Sequence, residues 1–280
     1  MKVVILTGDQ PNQAALCHKL AVHCDVAAIV LSENIPKKRP PTMRRMRLLF
    51  NGAMGRLVGH PFVAAWQNLQ VTYQALYPEF PTVPQVRVRN VNDEATLETL
   101  RIHDPDLVIV SGTNLVGKRV IEAAGRRLGI INMHTGISPY VKGGPNCTNW
   151  CLAEATFHLI GTTVMWLDAG IDTGRIIATE QTPLDGNESL VDLHWKVMEH
   201  AHDLYVRAVC RLGQGERVPS IAQASIDAGR TFYTVEWGAL AMLRARLNFK
   251  SKYQAHFSHR DQRLSLASSL RLFPIREGDA

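Results

Sequence analysis

The chain has 280 residues, of which 46% are hydrophobic and 20% are charged, a composition typical of a globular protein with a full-sized core. No apolar run is long enough to cross a bilayer, and the N-terminus lacks the layout of a signal peptide, so we expect a cytoplasmic protein without a membrane partner. Five cysteines, an odd number without a CxxC pair, indicate neither a disulfide framework nor a metal site.

The net charge of +6 comes from one short segment, KKRPPTMRRMR. Its six basic residues are Lys37, Lys38, Arg39, Arg44, Arg45 and Arg47. Without them the chain carries 25 basic and 25 acidic residues, and no aromatic residues are interleaved as a nucleic-acid stacking surface requires. We therefore expect no nucleic-acid partner. The segment is either a solvated loop or a contact for a phosphate-bearing substrate or an acidic partner.

The first predicted elements form a β-α-β unit. Apolar runs at 2–8 and 25–32 predict buried strands, and the segment between them predicts a helix with Pro11 in its first turn. Residues 36–88 interrupt this alternation, because they combine the basic segment, a long helical pattern and a Pro-rich end. We interpret them as a helical insertion between elements of a parallel sheet.

Strands and helices alternate again after the insertion. The clearest helix runs from Ser189 to Leu212, begins with a capping-box-like pair of Ser189 and Asp192, and ends at Gly213. The other predicted helices cover 93–103, 117–127 and 145–154, and the other predicted strands cover 106–112, 129–134, 161–167 and 175–184. The pattern predicts an α/β protein with a Rossmann-like, mostly parallel sheet and helices on both faces. We divide the chain into a catalytic domain, 1–215, with the insertion at about 36–88, and a small C-terminal appendage, 216–280.

Polar side chains at the end of the predicted strand GIINMH point to chemistry. Asn132 and His134 are two positions apart, so they face the same side of a strand. Ligands collect beyond the carboxyl ends of parallel strands. An amide can donate to a developing oxyanion, and an imidazole can move a proton near pH 7, so the pair suits attack on a carbonyl carbon.

A carboxylate that orients the histidine is available in the loop DAGIDTG. Asp168 and Asp172 are both candidates, and Gly170 and Gly174 would let the backbone approach a ligand closely. Spacing alone does not choose between the two aspartates. The alternative is structural: Asn132 and His134 cap the end of a strand, and the aspartate forms a turn.

The stretch INMHTGISPYVKGG, followed by GTTVMWLDAGIDTGRII, resembles the formyltransferase family. Its members include glycinamide ribonucleotide, methionyl-tRNA and sugar-nucleotide N-formyltransferases. They share Asn-x-His, a loop with Pro and Gly, and then an aspartate loop, which in this chain is DAGIDTG, residues 168–174. The resemblance spans roughly residues 1–215 apart from the insertion, and it implies the formyltransferase fold.

The resemblance implies that N10-formyltetrahydrofolate donates the formyl group and that no metal takes part. It selects Asp172 over Asp168 as the partner of His134, with Asn132 and His134 binding the carbonyl oxygen and His134 moving the proton. By position, the residues expected against the folate are Leu115, Val116 and Gly117 in one loop and Asp168, Ala169 and Gly170 in the other.

The acceptor amine is less determined. The loop TGDQPNQ places Gln10 and Pro11 where the glycinamide ribonucleotide enzymes have a phosphate-binding turn, which argues against that substrate. About 65 residues follow the long helix without regular strands, which argues against the tRNA-binding barrel of the methionyl-tRNA enzymes. HTGISPY is closer to small-molecule members, so we expect a nucleotide-linked amino sugar whose diphosphate meets the basic insertion.

Four alternatives remain open: an amino-acid or siderophore-precursor amine as acceptor, formyltetrahydrofolate hydrolysis, methionyl-tRNA formylation, and a binding domain without catalysis. The insertion or the C-terminal segment could form a homodimer interface, although no heptad pattern indicates one. The residues predicted to contact the acceptor are Gly8, Gln10, Asn12, Lys142, Asn146 and Trp150.

Overall fold

The computed structural model describes residues 1–34, 42–125, 127–215, 218–259 and 265–275, with the backbone alone at 42–57. The six basic side chains of KKRPPTMRRMR therefore lie outside the described residues, and so does their predicted phosphate contact. Over the ranges described, we find no helix whose length and apolar character would suit a transmembrane span.

A seven-stranded sheet forms the centre of the protein, in the order β3-β2-β1-β4-β5-β7-β8. The strands are β1 (Lys2–Gly8), β2 (Asp25–Ser32), β3 (Gln85–Val88), β4 (Leu107–Ser111), β5 (Gly129–His134), β6 (Val141–Gly143), β7 (Gly161–Trp166), β8 (Ile176–Gln181) and β9 (Arg230–Phe232). β3, β2, β1, β4 and β5 are parallel, whereas β7 runs antiparallel to both β5 and β8. β6 and β9 pair in a separate two-stranded sheet.

Helices cover both faces of the main sheet, which confirms the predicted α/β class. They are α1 (Pro11–Ala21), α2 (Thr42–Leu76), α3 (Glu94–His103), α4 (Lys118–Ala124), α5 (Cys147–Glu154), α6 (Leu190–Gly213), α7 (Ala239–Asn248) and α8 (Gln254–Ser258). Val3 and Ile5 of β1 pack with α1 and α6, whereas Val4 and Leu6 pack with α3 and α4. Burial on both faces explains why the strand sequences are apolar throughout.

The predicted insertion, 36–88, contains part of the main sheet. Its last four residues form β3, which pairs with β2, and α2 connects these two strands. Leu69 and Tyr73 of α2 are fully buried. The sequence analysis missed β3 because the strand is short and follows a Pro-rich stretch.

The C-terminal segment packs on the rest of the chain. α7 contacts α5, and Phe232 and Ala245 share one apolar cluster with Trp150. Thr179 of β8 also forms a bridge with Phe273. The division of the chain at residue 215 stays a prediction.

Candidate active site

A cavity of about 510 Å³ opens at the carboxyl ends of β4 and β5. Val110 of β4 and five stretches line it: 112–116 after β4, 132–134 on β5, 143–145 before α5, 165–174 without Ala169 from the end of β7 onward, and 232–234 from the end of β9. Its size lies within the range of small-molecule sites, roughly 300–1,000 Å³. The predicted catalytic residues Asn132, His134 and Asp172 all line it.

His134 and Asp172 form a close pair at the cavity wall. Nδ1 of His134 lies 3.3 Å from Oδ2 of Asp172, and the two side chains are 10% and 15% exposed. The backbone N–H of Gly143 donates to the same carboxylate oxygen at 3.0 Å. An ionised carboxylate only accepts hydrogen bonds, so this arrangement favours a proton on Nδ1.

The opposite edge of the imidazole faces buried groups. Nε2 of His134 lies 3.3 Å from the carbonyl oxygen of Val141 and 3.3 Å from Sγ of Cys147. Gly136 is required beside it, since a Cβ atom there would lie 2.7 Å from Nε2. With Nδ1 directed at Asp172 and Nε2 at buried groups, a ligand in the cavity can reach the pair at the carboxylate of Asp172.

Asn132 presents an amide without a protein partner. Within the part of the chain that the structure describes, its side chain forms no hydrogen bond, although it lines the cavity. Its strand, β5, and the neighbouring β4 are both held by the buried hydroxyl of Tyr205, which accepts from the N–H of Val110 at 3.1 Å. The same hydroxyl lies 2.9 Å from the carbonyl oxygen of Val110 and 3.0 Å from that of Ile131. The amide is thus available to a ligand on a rigid support.

The aspartate loop reaches the histidine from an unexpected direction. Because β7 is antiparallel to β5, the loop leaves the sheet beside Ile130, where the N–H of Leu167 donates to the Ile130 carbonyl. It then returns to His134, and Asp172 takes a left-handed conformation with φ of 50°. The sequence pattern predicts a strand at 161–167 before this loop but not the direction of that strand.

The two aspartates of the loop have different roles. Oδ1 of Asp168 accepts from the N–H of Gly170 at 3.0 Å and from the hydroxyl of Thr173 at 2.6 Å, so Asp168 shapes the turn. Asp172 is the one that contacts His134. Gly174 is sterically required, because a Cβ atom there would lie 1.6 Å from the Trp166 carbonyl oxygen.

Most residues expected against the folate also line the cavity. Leu115, Val116, Asp168 and Gly170 contribute to the lining. Gly117, which caps α4, and Ala169 do not line the cavity. Across the described ranges, no group of three or more His, Cys, Asp or Glu side chains is arranged to hold a metal ion.

The three acceptor contacts predicted after β5 do not line the cavity. Trp150 is 4% exposed and stacks on Phe232 with ring centroids 4.5 Å apart. Oδ1 of Asn146 accepts from the N–H of Asn149 and caps α5. Lys142 is buried on β6.

The three acceptor contacts predicted after β1 lie elsewhere too. Gln10 lines a separate cleft together with Arg87. Asn12 is buried, and its Oδ1 accepts from Gln70. Gly8 packs against Gly112, where a Cβ atom would lie 2.7 Å from the carbonyl oxygen. Substrate contact at these positions stays a prediction.

The sequence analysis missed the contribution of the C-terminal segment. Phe232, Tyr233 and Thr234 line the cavity. Nε2 of the buried Gln223 donates to the carbonyl oxygens of Asp172 and Gly174, at 2.8 Å each, and so fixes the aspartate loop. Neither feature has a local sequence signal, because both depend on contacts between distant parts of the chain.

Residues 73–209 match the family model described as formyl transferase. Methionyl-tRNA formyltransferase of Syntrophus aciditrophicus is 33% identical over 138 residues, which cover 49% of this chain and 43% of that protein. The chain thus spans about half the length, or less, of the curated relatives that it matches first.

Solved structures support the same fold. The sugar N-formyltransferase of Shewanella sp FDAARGOS_354 has a TM-score of 0.55 at 14% identity and covers 88% of this chain and 87% of its own. Phosphoribosylglycinamide formyltransferase of Anaplasma phagocytophilum has a TM-score of 0.53 at 18% identity and covers 84% of this chain and 98% of its own. The likeness confirms the mostly parallel α/β fold that the sequence predicted. Residues 73–209 therefore belong to the formyl transferase family.

Proposed function

We propose that the protein transfers a formyl group from N10-formyltetrahydrofolate to the primary amine of a small molecule. The observation that carries this proposal is the unpartnered amide of Asn132 beside the His134–Asp172 pair in one cavity. A hydrogen-bond donor and a proton-transfer pair are what attack of an amine on a carbonyl carbon needs.

The cavity suits the proposed donor. Its volume of about 510 Å³ can hold a heterocycle, and Leu115 and Val116 offer apolar and backbone contacts to a flat ring. When bound, the donor supplies an activated formyl group. The loop of Asp168 and Gly170 forms the facing wall, so the formyl carbon can lie between the two loops.

Each catalytic side chain then has a defined task. The side-chain N–H of Asn132 donates to the carbonyl oxygen as negative charge develops on it. The attacking amine forms a bond to the formyl carbon and releases one proton to the His134–Asp172 pair. Because Nδ1 of His134 already carries a proton and Nε2 faces buried groups, that proton enters at the carboxylate of Asp172. The bond between the formyl carbon and N10 of the folate then breaks, and the pair returns the proton to N10, so that the products are the formylated amine and tetrahydrofolate.

For the acceptor, we propose a nucleotide-linked amino sugar. The fold likeness to a sugar N-formyltransferase supports this choice. None of the described residues that line the cavity is Lys or Arg, so a diphosphate would have to bind outside it. The basic segment, which lies outside the described residues, is the candidate contact. Methionyl-tRNA is the second candidate, because the sequence relatives carry that name.

A screen of acceptor amines tests the proposal. The protein is mixed with N10-formyltetrahydrofolate and nucleotide-linked amino sugars, amino acids or methionyl-tRNA, and tetrahydrofolate release is followed. We expect release that requires an amine and is fastest with an amino sugar. Release without any amine would indicate a hydrolase instead. If the rate is fastest with methionyl-tRNA, then methionyl-tRNA and not an amino sugar is the acceptor. No release under any condition would overturn the transferase proposal.

A further inference from the structure

Cys147, the first residue of α5, touches the catalytic histidine from its buried side. Its side chain is 1% exposed, and Sγ lies 3.3 Å from Nε2 of His134. Sγ also lies 3.5 Å from the carbonyl oxygen of Gly143, to which the thiol can donate. Burial, followed by the Cys151 thiol and the Asp172 carboxylate, raises the pKa of Cys147 well above its usual value, so the group keeps its S–H.

The hydrogen-bond partners of Nε2 determine which charge states of His134 the site can satisfy. With a proton on Nδ1 toward Asp172, a neutral ring carries a lone pair on Nε2. The Val141 carbonyl oxygen can only accept, so the donor beside Nε2 is the thiol of Cys147. A protonated ring has the opposite need, because its Nε2–H donates to Val141 and leaves the thiol to find another acceptor.

We propose that Cys147 is a positioning residue that lets His134 be either neutral or protonated without losing a hydrogen bond. Its S–H donates to Nε2 of the neutral ring and turns to the carbonyl oxygen of Gly143 when the ring accepts a second proton. The role in proton transfer rests on the proposed function, whereas the contact with His134 does not.

Other titratable groups around the pair do not replace the thiol. Asp172 faces Nδ1 from the loop after β7, and Cys151 lies one turn further along α5 and is also buried. Asp168 is bound by Gly170 and Thr173. In the ranges that are described, Lys142 of β6 forms no hydrogen bond or ion pair with His134 or Asp172. The thiol is therefore the neighbour whose removal changes the partners of Nε2 alone.

The test compares variants with and without a donor at this position. Cys147→Val fills the site without a donor, and Cys147→Ser keeps one. Losing the donor disfavours the neutral ring, so we expect Cys147→Val to raise the titration midpoint of His134 by about one pH unit. Cys147→Ser should stay close to the wild type. Cys147→Ala serves as a second donor-free variant if valine disturbs folding.

Two measurements keep this inference separate from the catalytic proposal. Nitrogen NMR of the labelled histidine ring gives the midpoint and the tautomer of His134 in the free protein, without any substrate. The acid limb of the pH profile of kcat/KM should move by the same amount in formyl transfer. Cys151→Val and Cys151→Ser, which change a buried cysteine of the same helix away from the ring, are the controls and should move neither.

The NMR midpoints decide the inference. An upward shift in the donor-free variants alone supports it. An unchanged midpoint in Cys147→Val, a downward shift, or equal shifts in the serine and valine variants would overturn it. If the midpoints behave as expected but no amine is formylated, the proposed function fails while the contact between Cys147 and His134 stands.

Discussion

The cavity has two walls of different construction. The β5 wall, residues 129–134, lies inside the seven-stranded sheet, with Asn132 paired between Val110 and Met165. The C-terminal wall, residues 232–234, begins at the last residue of β9, a three-residue strand that pairs with β6. His134 is buried on the first wall, whereas Tyr233 is 51% exposed on the second.

This difference separates two tasks. Side chains that carry out chemistry must be held closely, and a buried sheet provides that support. An exposed aromatic side chain that follows a short strand can adapt to the shape of a ligand. We therefore expect changes at the β5 wall to reduce turnover and changes at the C-terminal wall to alter substrate affinity.

The largest effect should follow substitution on the β5 wall. Asn132→Ala removes the proposed oxyanion donor, so we expect a loss of roughly 10²–10³ in rate, and His134→Ala removes the proposed proton carrier, so we expect a loss of roughly 10²–10⁴. Initial rates of formyl transfer measure both. Asn187→Ala and His60→Ala, at exposed positions, should keep wild-type rates. Near wild-type rates for both cavity variants, with thermal unfolding unchanged, would remove the basis of the proposed chemistry.

The β5 wall could be predicted from sequence, and the C-terminal wall could not. Asn132 and His134 are two apart on an apolar strand, so their shared direction is a local property. Asp172 was selected by the family resemblance, since spacing alone did not distinguish it from Asp168. Tyr233 reaches the cavity, and Gln223 reaches the aspartate loop, because β9 and its neighbours pair with distant segments. Local patterns also do not give strand direction, so antiparallel β7 and the returning loop were not predicted.

The contact between the C-terminal segment and the aspartate loop should be weakened by Gln223→Ala. The substitution removes donors from two carbonyl groups of the aspartate loop, which should lower the free energy of unfolding by about 1–3 kcal/mol. A loosened Asp172 should also lower kcat by roughly tenfold. Urea unfolding and steady-state kinetics measure the two effects, and exposed Gln214→Ala is the control. A stability loss with unchanged kcat would show that the C-terminal segment does not position the aspartate.

The helix behind the β5 wall should be sensitive to acid. Burial lowers the pKa of His194 to about 4 and that of His202 to about 3, against about 6.5 in an unfolded chain. Below pH 6.5 the unfolded state binds protons that the folded state does not. Stability is therefore fully present above pH 6.5 and falls as the pH decreases toward 4, by about 1.4 kcal/mol per pH unit for each histidine.

Urea unfolding between pH 7.5 and 4.5 measures this dependence. His202→Leu should reduce the slope of unfolding free energy against pH by the contribution of one histidine, about 1.4 kcal/mol per pH unit. His23→Gln, at an exposed position, should leave that slope unchanged. An identical slope in wild type and His202→Leu would mean that His202 takes up a proton in the folded state, and the buried surroundings of α6 would need another explanation.

The smallest effect should come from the C-terminal wall. Tyr233 comes from outside the matched range, 73–209, so we expect it to face the acceptor amine rather than the shared donor. An aromatic contact of this kind contributes about 0.5–1.5 kcal/mol, so Tyr233→Ala should raise KM for the acceptor roughly two- to tenfold with little change in kcat. Tyr233→Phe, which keeps the ring, should have the KM of the wild type. Val235→Ala is the control, because Val235 lies two residues further and is 60% exposed, and it should leave KM unchanged. If Tyr233→Ala instead raised KM for the folate and left that of the amine unchanged, the two walls would both serve the donor, and the acceptor would have to bind through the cleft beside Gln10.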